Sequence, residues 1–299
     1  MYMSVKELVK DSMDKQTPIS ELMIQQEMAK NKASREEVWS TMERNLDVME
    51  AAVKRGSEGN GVFSKTGLTG GEAVLLKKYR EKGHTLSGDL MMEAVQNAIA
   101  TNEVNASMGV VCATPTAGST GTLPGVIFVI KKRLNLDHDQ MVRFLFTAGA
   151  FGMVIANNAG IAGATGGCQA EVGSASAMGA AAAVEMAGGN AEQSAEALAM
   201  AISNLLGLVC DPVAGLVELP CVKRNAIGAG NALISADMAL AGLTNKIPAD
   251  EVISAMDKIG KDLPKALRET GQGGLAATPT GVNMKMRIFG KTVDVGDEN

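Results

Sequence analysis

Residues 159–189 consist mostly of glycine and alanine, in the stretch AGIAGATGGCQAEVGSASAMGAAAAVEMAGG. Side chains this small let neighbouring helices approach each other closely. The whole chain shares this character, since 46% of its residues are hydrophobic, only 3% are aromatic, and 34 are glycine. No segment shows the period-two, β-branched pattern of a large sheet. We therefore predict a mainly α fold of closely packed helices with glycine-rich loops.

Signals for helix starts recur along the chain. A polar residue followed three positions later by Glu or Gln can cap a helix N-terminus. This pattern occurs at Ser34–Glu37, Asp137–Gln140 and Asn190–Gln193. Only residues 283–295, NMKMRIFGKTVDV, alternate as paired strands do. A small C-terminal hairpin is therefore the one β element that we predict.

The first sixty residues differ from the rest of the chain. They are polar and helical in pattern, whereas the following residues are small and apolar. The glycine-rich stretch 56–71 lies at this change of composition. We therefore predict an N-terminal helical segment, residues 1–60, and a main domain, residues 61–299.

Charge and hydropathy argue against a nucleic-acid-binding protein and against a membrane-spanning protein. With 28 Lys plus Arg against 33 Asp plus Glu, the net charge is −5. Nucleic-acid binding needs a clustered basic face, which this balance does not favour. The N-terminus is charged, and the most apolar segment, residues 144–155, is too short to span a bilayer. We expect a soluble cytoplasmic protein that binds neither nucleic acid nor membrane.

The four cysteines, at positions 112, 168, 210 and 221, do not suggest a disulfide framework in a cytoplasmic chain. Cys168, Cys210 and Cys221 each lie at a break in regular structure, beside glycine or proline. Backbone N–H groups at such breaks can hydrogen-bond the sulfurs of an iron–sulfur cluster. The spacing is not C-x-x-C, and free cysteine is among the most buried residue types. Metal ligands and inert core thiols therefore both remain open.

Three thiolate ligands would have a chemical meaning. A 4Fe–4S cluster held by three thiolates keeps one iron open, and an open iron can act as a Lewis acid. Zinc with three cysteines and a water is the competing metal. Structural zinc sites more often use paired close spacings, which are absent here.

Two loops have a composition that suits a bound anion. Residues 112–125, CATPTAGSTGTLPG, combine hydroxyls with glycines that let backbone N–H groups converge at a helix N-terminus. Residues 64–67, SKTG, add a lysine that is either a solvated charge or an anion clamp. An ordinary Ser/Thr/Gly loop has the same composition, so that interpretation also stays open. The candidate substrate contacts in the two loops are Ser64, Thr66, Thr114, Thr116, Ala117, Gly118 and Ser119.

Two further polar positions are candidates. His84, in the loop GHTLSG, is a possible general base, because histidine is the side chain most easily poised near neutral pH. A loop histidine without a role is the alternative. Asn225 belongs to the run Lys-Arg-Asn after Cys221 and could face the same pocket. A charged run is more often a solvated face.

Several motifs together resemble one known family. TPTAGSTG (residues 114–121), GATGGCQAEVGSASAMGAAA (163–182) and GLVCDPVAGLVELPCVKRNA (207–226) are similar to the iron–sulfur-dependent L-serine dehydratases, specifically their alpha, or catalytic, subunit. SKTGLTGGEA and HTLSG fit the same family. The resemblance covers roughly residues 60–290.

The resemblance implies that residues 61–299 form a catalytic iron–sulfur domain. Cys168, Cys210 and Cys221 would hold a 4Fe–4S cluster without a fourth cysteine. L-serine would be converted to pyruvate and ammonia without pyridoxal phosphate, and the open iron would help the hydroxyl leave. The 114–121 loop would hold the carboxylate. The Cα proton would be taken by His84, by Lys65 as second choice, or by a residue of a separate beta subunit, so a hetero-oligomer is expected.

Rival functions remain at this point. A related cluster-dependent dehydratase or a cysteine desulfhydrase also needs a carboxylate grip and an open iron. A non-catalytic helical binding protein would use its cysteines only as core residues. A zinc hydrolase is disfavoured because the chain has only two histidines.

Overall fold

The computed structural model describes residues 1–290, and within them the chain forms thirteen α-helices and no β-strand. Two isolated bridges, Phe63–Gly70 and Cys210–Arg268, are the only β pairings in this range. The prediction of a mainly α fold is therefore confirmed. In chain order the helices are α1 (Val5–Lys15), α2 (Ile19–Asn31), α3 (Arg35–Ser57), α4 (Glu72–Arg80), α5 (Asp89–Ala106), α6 (Thr122–Leu134), α7 (His138–Asn158), α8 (Gly163–Gly166), α9 (Ser174–Met186), α10 (Ala191–Ser203), α11 (Cys221–Leu240), α12 (Ala249–Asp262) and α13 (Pro279–Phe289).

The three capping patterns all start helices. Ser34, Asp137 and Asn190 are the N-caps of α3, α7 and α10, and each forms a complete capping box with the residue three positions later. In this motif two backbone N–H groups that the helix leaves unpaired are satisfied by side chains.

The predicted C-terminal hairpin is wrong for residues 283–289, which belong to α13. The Thr278 side chain accepts a hydrogen bond from Gly281 N, and Pro279 occupies the first helical position. A side-chain cap followed by proline is a strong helix start, and it outweighs the short alternation of Met and charged residues. The remainder of the proposed hairpin, residues 291–295, lies outside the described residues.

Helix α9 lies at the centre of the fold. It packs against α6, α7, α10 and α11, and its residues from Ser174 to Val184 are all buried. A helix buried on every side must have small side chains if its neighbours are to come close. At a second helix contact, a Cβ on Gly125 would lie 2.7 Å from Ala229 Cβ and 2.9 Å from the Ala94 carbonyl oxygen. The small residues thus allow the close helix packing that the sequence predicted.

Several helices are capped by side chains from distant parts of the chain. α2, α4 and α6 have no side-chain cap of their own. Glu185 accepts hydrogen bonds from Ile19 N and Ser20 N at the start of α2. Glu103 does the same for the first two residues of α4. Carboxylates at these positions also interact favourably with the helix dipole.

The N-terminal helices share the core of the remaining chain. Leu8, Ile24 and Leu46, from α1, α2 and α3, belong to the same buried hydrophobic cluster as residues of α6, α7 and α9. Asp250, at the start of α12, accepts hydrogen bonds from Val5 N and Lys6 N. The composition change near residue 60 therefore falls in the loop between α3 and α4, within a continuous core. None of the helices in the described range is long and apolar enough to cross a membrane.

Candidate active site at three cysteines

Three cysteines lie at the ends of different helices. Cys168 stands between α8 and a π-helical turn, Gln169–Gly173, that leads into α9. Cys210 lies in the extended segment after α10, and Cys221 is the first residue of α11. All three are buried and unpaired, whereas Cys112 is half-buried. Single π turns inside helices occur frequently at functional sites.

The three thiols share one pocket. Cys168 and Cys210 belong to one small apolar cluster with Val172. Burial is the main cause that raises the pKa of all three thiols, to about 12 for Cys168. The nearby sulfurs of Cys168 and Cys221 raise the pKa of Cys210 further. Without a bound cation these thiols stay protonated at neutral pH, and a metal group would displace their protons.

Two glutamates lie beside Cys210. One carboxylate oxygen each of Glu171 and Glu269 and the Cys210 sulfur all lie within 4.8 Å of one another. Gly163 leaves the room for them, because a Cβ there would lie 2.8 Å from Cys210 Sγ and 2.9 Å from Glu171 Oε2. Glu269 has a positive φ of 63°, a conformation that non-glycine residues adopt rarely and often at functional sites.

The hydroxyl loop at residues 114–119 contacts Glu171. Thr116 Oγ1 donates a hydrogen bond of 2.7 Å to Glu171 Oε1, and Ser119 Oγ donates to the Thr114 carbonyl oxygen. Buried Thr114 Oγ1 has no hydrogen-bond partner among the described residues. The exposed Ala117 contributes its carbonyl oxygen, which accepts from Asn105 Nδ2. The loop therefore lies at the cysteine pocket, and it has one free hydroxyl.

Asn225 attaches this loop to α11. Its Oδ1 accepts hydrogen bonds from Gly121 N, Thr122 N and Thr122 Oγ1, at 3.0–3.1 Å. Its Nδ2 donates to the carbonyl oxygens of Gly118 and Cys221. The side chain is fully buried, and these five bonds occupy it. Asn225 thus caps α6 from another helix, and it positions the loop rather than presenting a free amide.

The second predicted loop also contacts a buried carboxylate. Thr66 Oγ1 donates to Glu218, at 2.8 and 2.9 Å from its two oxygens, and lies 3.0 Å from Ser64 Oγ. Glu218 precedes Cys221 by three residues. The loop therefore lies beside a cysteine-bearing segment, and Lys65 is exposed on it.

His84 lies away from that loop. The first residue of α4, Glu72, forms an ion pair of 3.0 Å with Lys223 of α11. His84 follows the opposite end of α4, which at nine residues is about 13 Å long. It is exposed, and its carbonyl oxygen accepts a hydrogen bond from Tyr79. The structure brings the cysteines and both hydroxyl loops together, and it places His84 outside this group.

Comparison with known proteins agrees with this arrangement. A model of the family described as the serine dehydratase alpha chain matches residues 14–276. The chain belongs to this family.

Three relatives show the range of similarity. The chain is 63% identical over 290 residues to the probable L-serine dehydratase, alpha chain, of Bacillus subtilis strain 168, covering 97% of this chain and 96% of that one. It is 41% identical over 285 residues to the L-serine dehydratase, alpha chain, of Peptoniphilus asaccharolyticus, covering 95% and 97%. The L-serine dehydratase TdcG of Escherichia coli K12 is 36% identical over 263 residues, which are 86% of this chain but 58% of that longer protein.

The donor set fits a metal cluster better than a single zinc ion. Ligand sulfurs of one zinc ion lie roughly 4 Å apart, because each Zn–S bond is about 2.3 Å. The three cysteine sulfurs do not form a group whose members all lie within 4.8 Å of one another. All three are buried, and Cys168 and Cys221 are close enough to Cys210 for their charges to interact with it, so a larger group of several metal atoms suits these donors better than one zinc ion.

Sequence reasoning missed the acidic side chains at the site. Glu171 makes the contact to Thr116, Glu218 the contact to Thr66, and Glu269 approaches Cys210. One signal was available, because Glu171 is the only charged residue between positions 159 and 184. Glu269 had no comparable signal, since it reaches the pocket only through the backbone pairing of Cys210 with its own segment.

Proposed function

We propose that this chain is the alpha chain of an iron–sulfur L-serine dehydratase, which converts L-serine to pyruvate and ammonia. The observation that carries the proposal is the arrangement of Cys168, Cys210 and Cys221 around one buried pocket beside the 114–119 loop. Relatives over the full length of the chain are called L-serine dehydratase alpha chains.

We propose that the three cysteines hold a 4Fe–4S cluster and that pyridoxal phosphate is not used. When bound, the cluster would supply a Lewis acid that assists departure of the serine hydroxyl. The buried pocket excludes water from the reacting atoms, which strengthens the electrostatic interactions inside it.

The chain's own residues would bind and orient the substrate. Thr114 Oγ1 is buried and unpaired, so it can donate to a substrate carboxylate without losing an existing bond. Thr116 and Ser119 already have partners, which fix the loop, and the Gly118 carbonyl oxygen is held by Asn225. A loop fixed in this way can stabilise negative charge on the carboxylate as the Cα proton leaves.

For the proton acceptor we propose Lys65 before His84, which reverses the order expected from sequence. Lys65 lies between Ser64 and Thr66, whose hydroxyls are positioned at Glu218. His84 is exposed beyond the far end of α4. A base within hydrogen-bond reach of the substrate is the first requirement for this role.

We also propose a separate beta chain and a cytoplasmic hetero-oligomer. The matched residues are 58% of the longer Escherichia coli relative, whereas the relatives matched over 96% and 97% of their length are called alpha chains. A beta chain would supply an equivalent of the unmatched part, and exposed Lys65 lies on a surface that it could cover.

The test uses the complex of this chain with its beta chain, purified without oxygen. The proposal predicts protein-bound iron and sulfide and the formation of pyruvate from L-serine. Cys168→Ala should abolish both the cluster absorbance and activity, whereas Cys112→Ala is the matched control and should retain both. A Cys168→Ala protein that keeps its cluster would refute the ligand assignment.

Substrate identity needs a second measurement. A panel of L-serine, L-cysteine and several hydroxy acids distinguishes the dehydratase from the desulfhydrase and from related dehydratases. Thr114→Val should raise the KM for the preferred substrate severalfold while the iron content stays constant. An unchanged KM would contradict carboxylate binding by Thr114.

A further inference from the structure

Arg224 contacts the segments of all three cysteines. It lies on α11, three residues after Cys221, and only 13% of its side chain is exposed. Its Nη1 donates a hydrogen bond of 2.7 Å to the Val209 carbonyl oxygen, immediately before Cys210. Its guanidinium also lies near the Cys168 thiol.

An ion pair fixes the guanidinium in this position. Nη1 of Arg224 lies 2.8 Å from Oδ1 of Asp211, the residue after Cys210, in a contact outside hydrogen-bond geometry. The other carboxylate oxygen, Oδ2, accepts from Leu275 N. Asp211 is 3% exposed, so both members of the pair are shielded from water. Arginine suits this position because its planar group presents several donors in a rigid arrangement.

Most charged side chains close to Cys210 are acidic, although Arg268 pairs with Cys210 through the backbone. Glu171 and Glu269 lie beside Cys210, and Asp211 follows it. The neighbouring cation, Lys223, turns away to an exposed ion pair with Glu72. Three thiolates at this site would add further negative charge, which a buried pocket stabilises poorly without a cation.

We propose that Arg224 is a positioning residue that holds the three cysteine segments together and offsets the charge of the bound cluster, an inference that rests on the proposed function. The guanidinium joins α11 to both sides of Cys210 and lies near Cys168, so protein contacts bring the cysteine segments together. Its positive charge then stabilises a more reduced cluster, because the reduced form carries one additional negative charge.

The experiment compares Arg224→Gln and Arg224→Lys with the wild-type complex, purified without oxygen. Lys223→Gln is the matched control, since it removes the adjacent positive charge outside the pocket. The measurements are iron per chain, the rate of cluster loss in air, the reduction potential of the cluster, and far-UV circular dichroism.

Arg224→Gln should bind severalfold less iron, lose its cluster faster in air, and have a more negative reduction potential. Arg224→Lys retains the charge, but its flexible ammonium lacks the rigid planar group that places Nη1 between the Val209 carbonyl oxygen and Asp211. The Arg224→Lys variant should therefore lose as much iron as Arg224→Gln. The cluster that remains bound should keep a reduction potential close to that of the wild type. Lys223→Gln should match wild type in every measurement.

Two results would overturn the inference and leave the proposed function intact. One is wild-type iron content and air stability in Arg224→Gln. The other is an equal reduction potential for the clusters that the Gln and Lys variants retain. A wild-type complex without iron would instead refute the proposed function.

Discussion

Replacing Asn225 by alanine should destabilise the protein and disturb the substrate loop. The change removes five hydrogen bonds that join α11 to the loop and to the first turn of α6. Loss of a helix cap costs about 1 kcal/mol, and an unsatisfied buried group costs about 1–3 kcal/mol. With one cap and the Gly118 carbonyl affected, we expect a loss of about 2–4 kcal/mol.

The assay is thermal unfolding of the iron-free protein, followed by circular dichroism. For a chain of this size, the expected loss lowers Tm by roughly 10 °C. Asn225→Asp separates the two halves of the interaction, since it retains the acceptor but places a carboxylate against the carbonyl oxygens of Gly118 and Cys221. It should be about as damaging as alanine.

A control on the same helix shows whether the effect is specific. Asn231 donates to Ser176 Oγ and to the Ala201 carbonyl oxygen, away from the loop. Asn231→Ala should lower Tm less and leave the KM for serine unchanged, whereas Asn225→Ala should raise that KM. An Asn225→Ala protein with wild-type Tm and KM would refute the argument that this amide holds the loop.

Three other predictions, made with four substitutions, concern the charges and the packing. Burial raises the pKa of Glu103 to about 7 from 4.5, so its contribution to stability is full below pH 4.5 and is lost as pH rises through 7. The free energy of unfolding should therefore fall over this range, by at most about 3 kcal/mol. Glu103→Gln should remove most of this fall, which urea unfolding between pH 4.5 and 8 would measure. Gly163→Ala places a Cβ 2.8 Å from Cys210 Sγ and should reduce iron binding, and wild-type iron content would contradict the close packing. Gly125→Ala should destabilise the protein by about 1–3 kcal/mol, because its Cβ would meet a neighbouring helix. Gly149→Ala on α7 would meet nothing within 4 Å and should stabilise the protein by about 0.5–1 kcal/mol. Equal unfolding midpoints for the two variants would refute this argument.

Local patterns predicted much of the fold. The capping boxes at Ser34, Asp137 and Asn190 start helices where expected, because both members of each box lie within four consecutive residues. Caps supplied from a distance could not be predicted in this way. The start of α6 is capped by Asn225 and the start of α4 by Glu103, so neither cap can be recognised from the residues next to the helix start.

The sequence indicated the cysteines of the candidate site, but it did not indicate which charged side chains lie beside them. Glycine and proline beside Cys168 and Cys221 indicated breaks in the chain, which the structure has. The positions of Glu269 and Arg224 depend on tertiary contacts between segments that are distant in sequence. The hairpin prediction failed because seven residues of alternation are also compatible with one face of a short helix.

The cap that α11 supplies to α6 has a consequence for biosynthesis. The amide of Asn225 is made 104 residues after the Gly121 backbone that it holds. During synthesis, the 114–119 loop therefore leaves the ribosome well before Asn225 is made. N-terminal regions generally fold first, but this loop lacks its cap until α11 is present. That loop and Cys221 reach their final positions in the same docking event, so under the proposed function iron delivery would have to wait until α11 has docked.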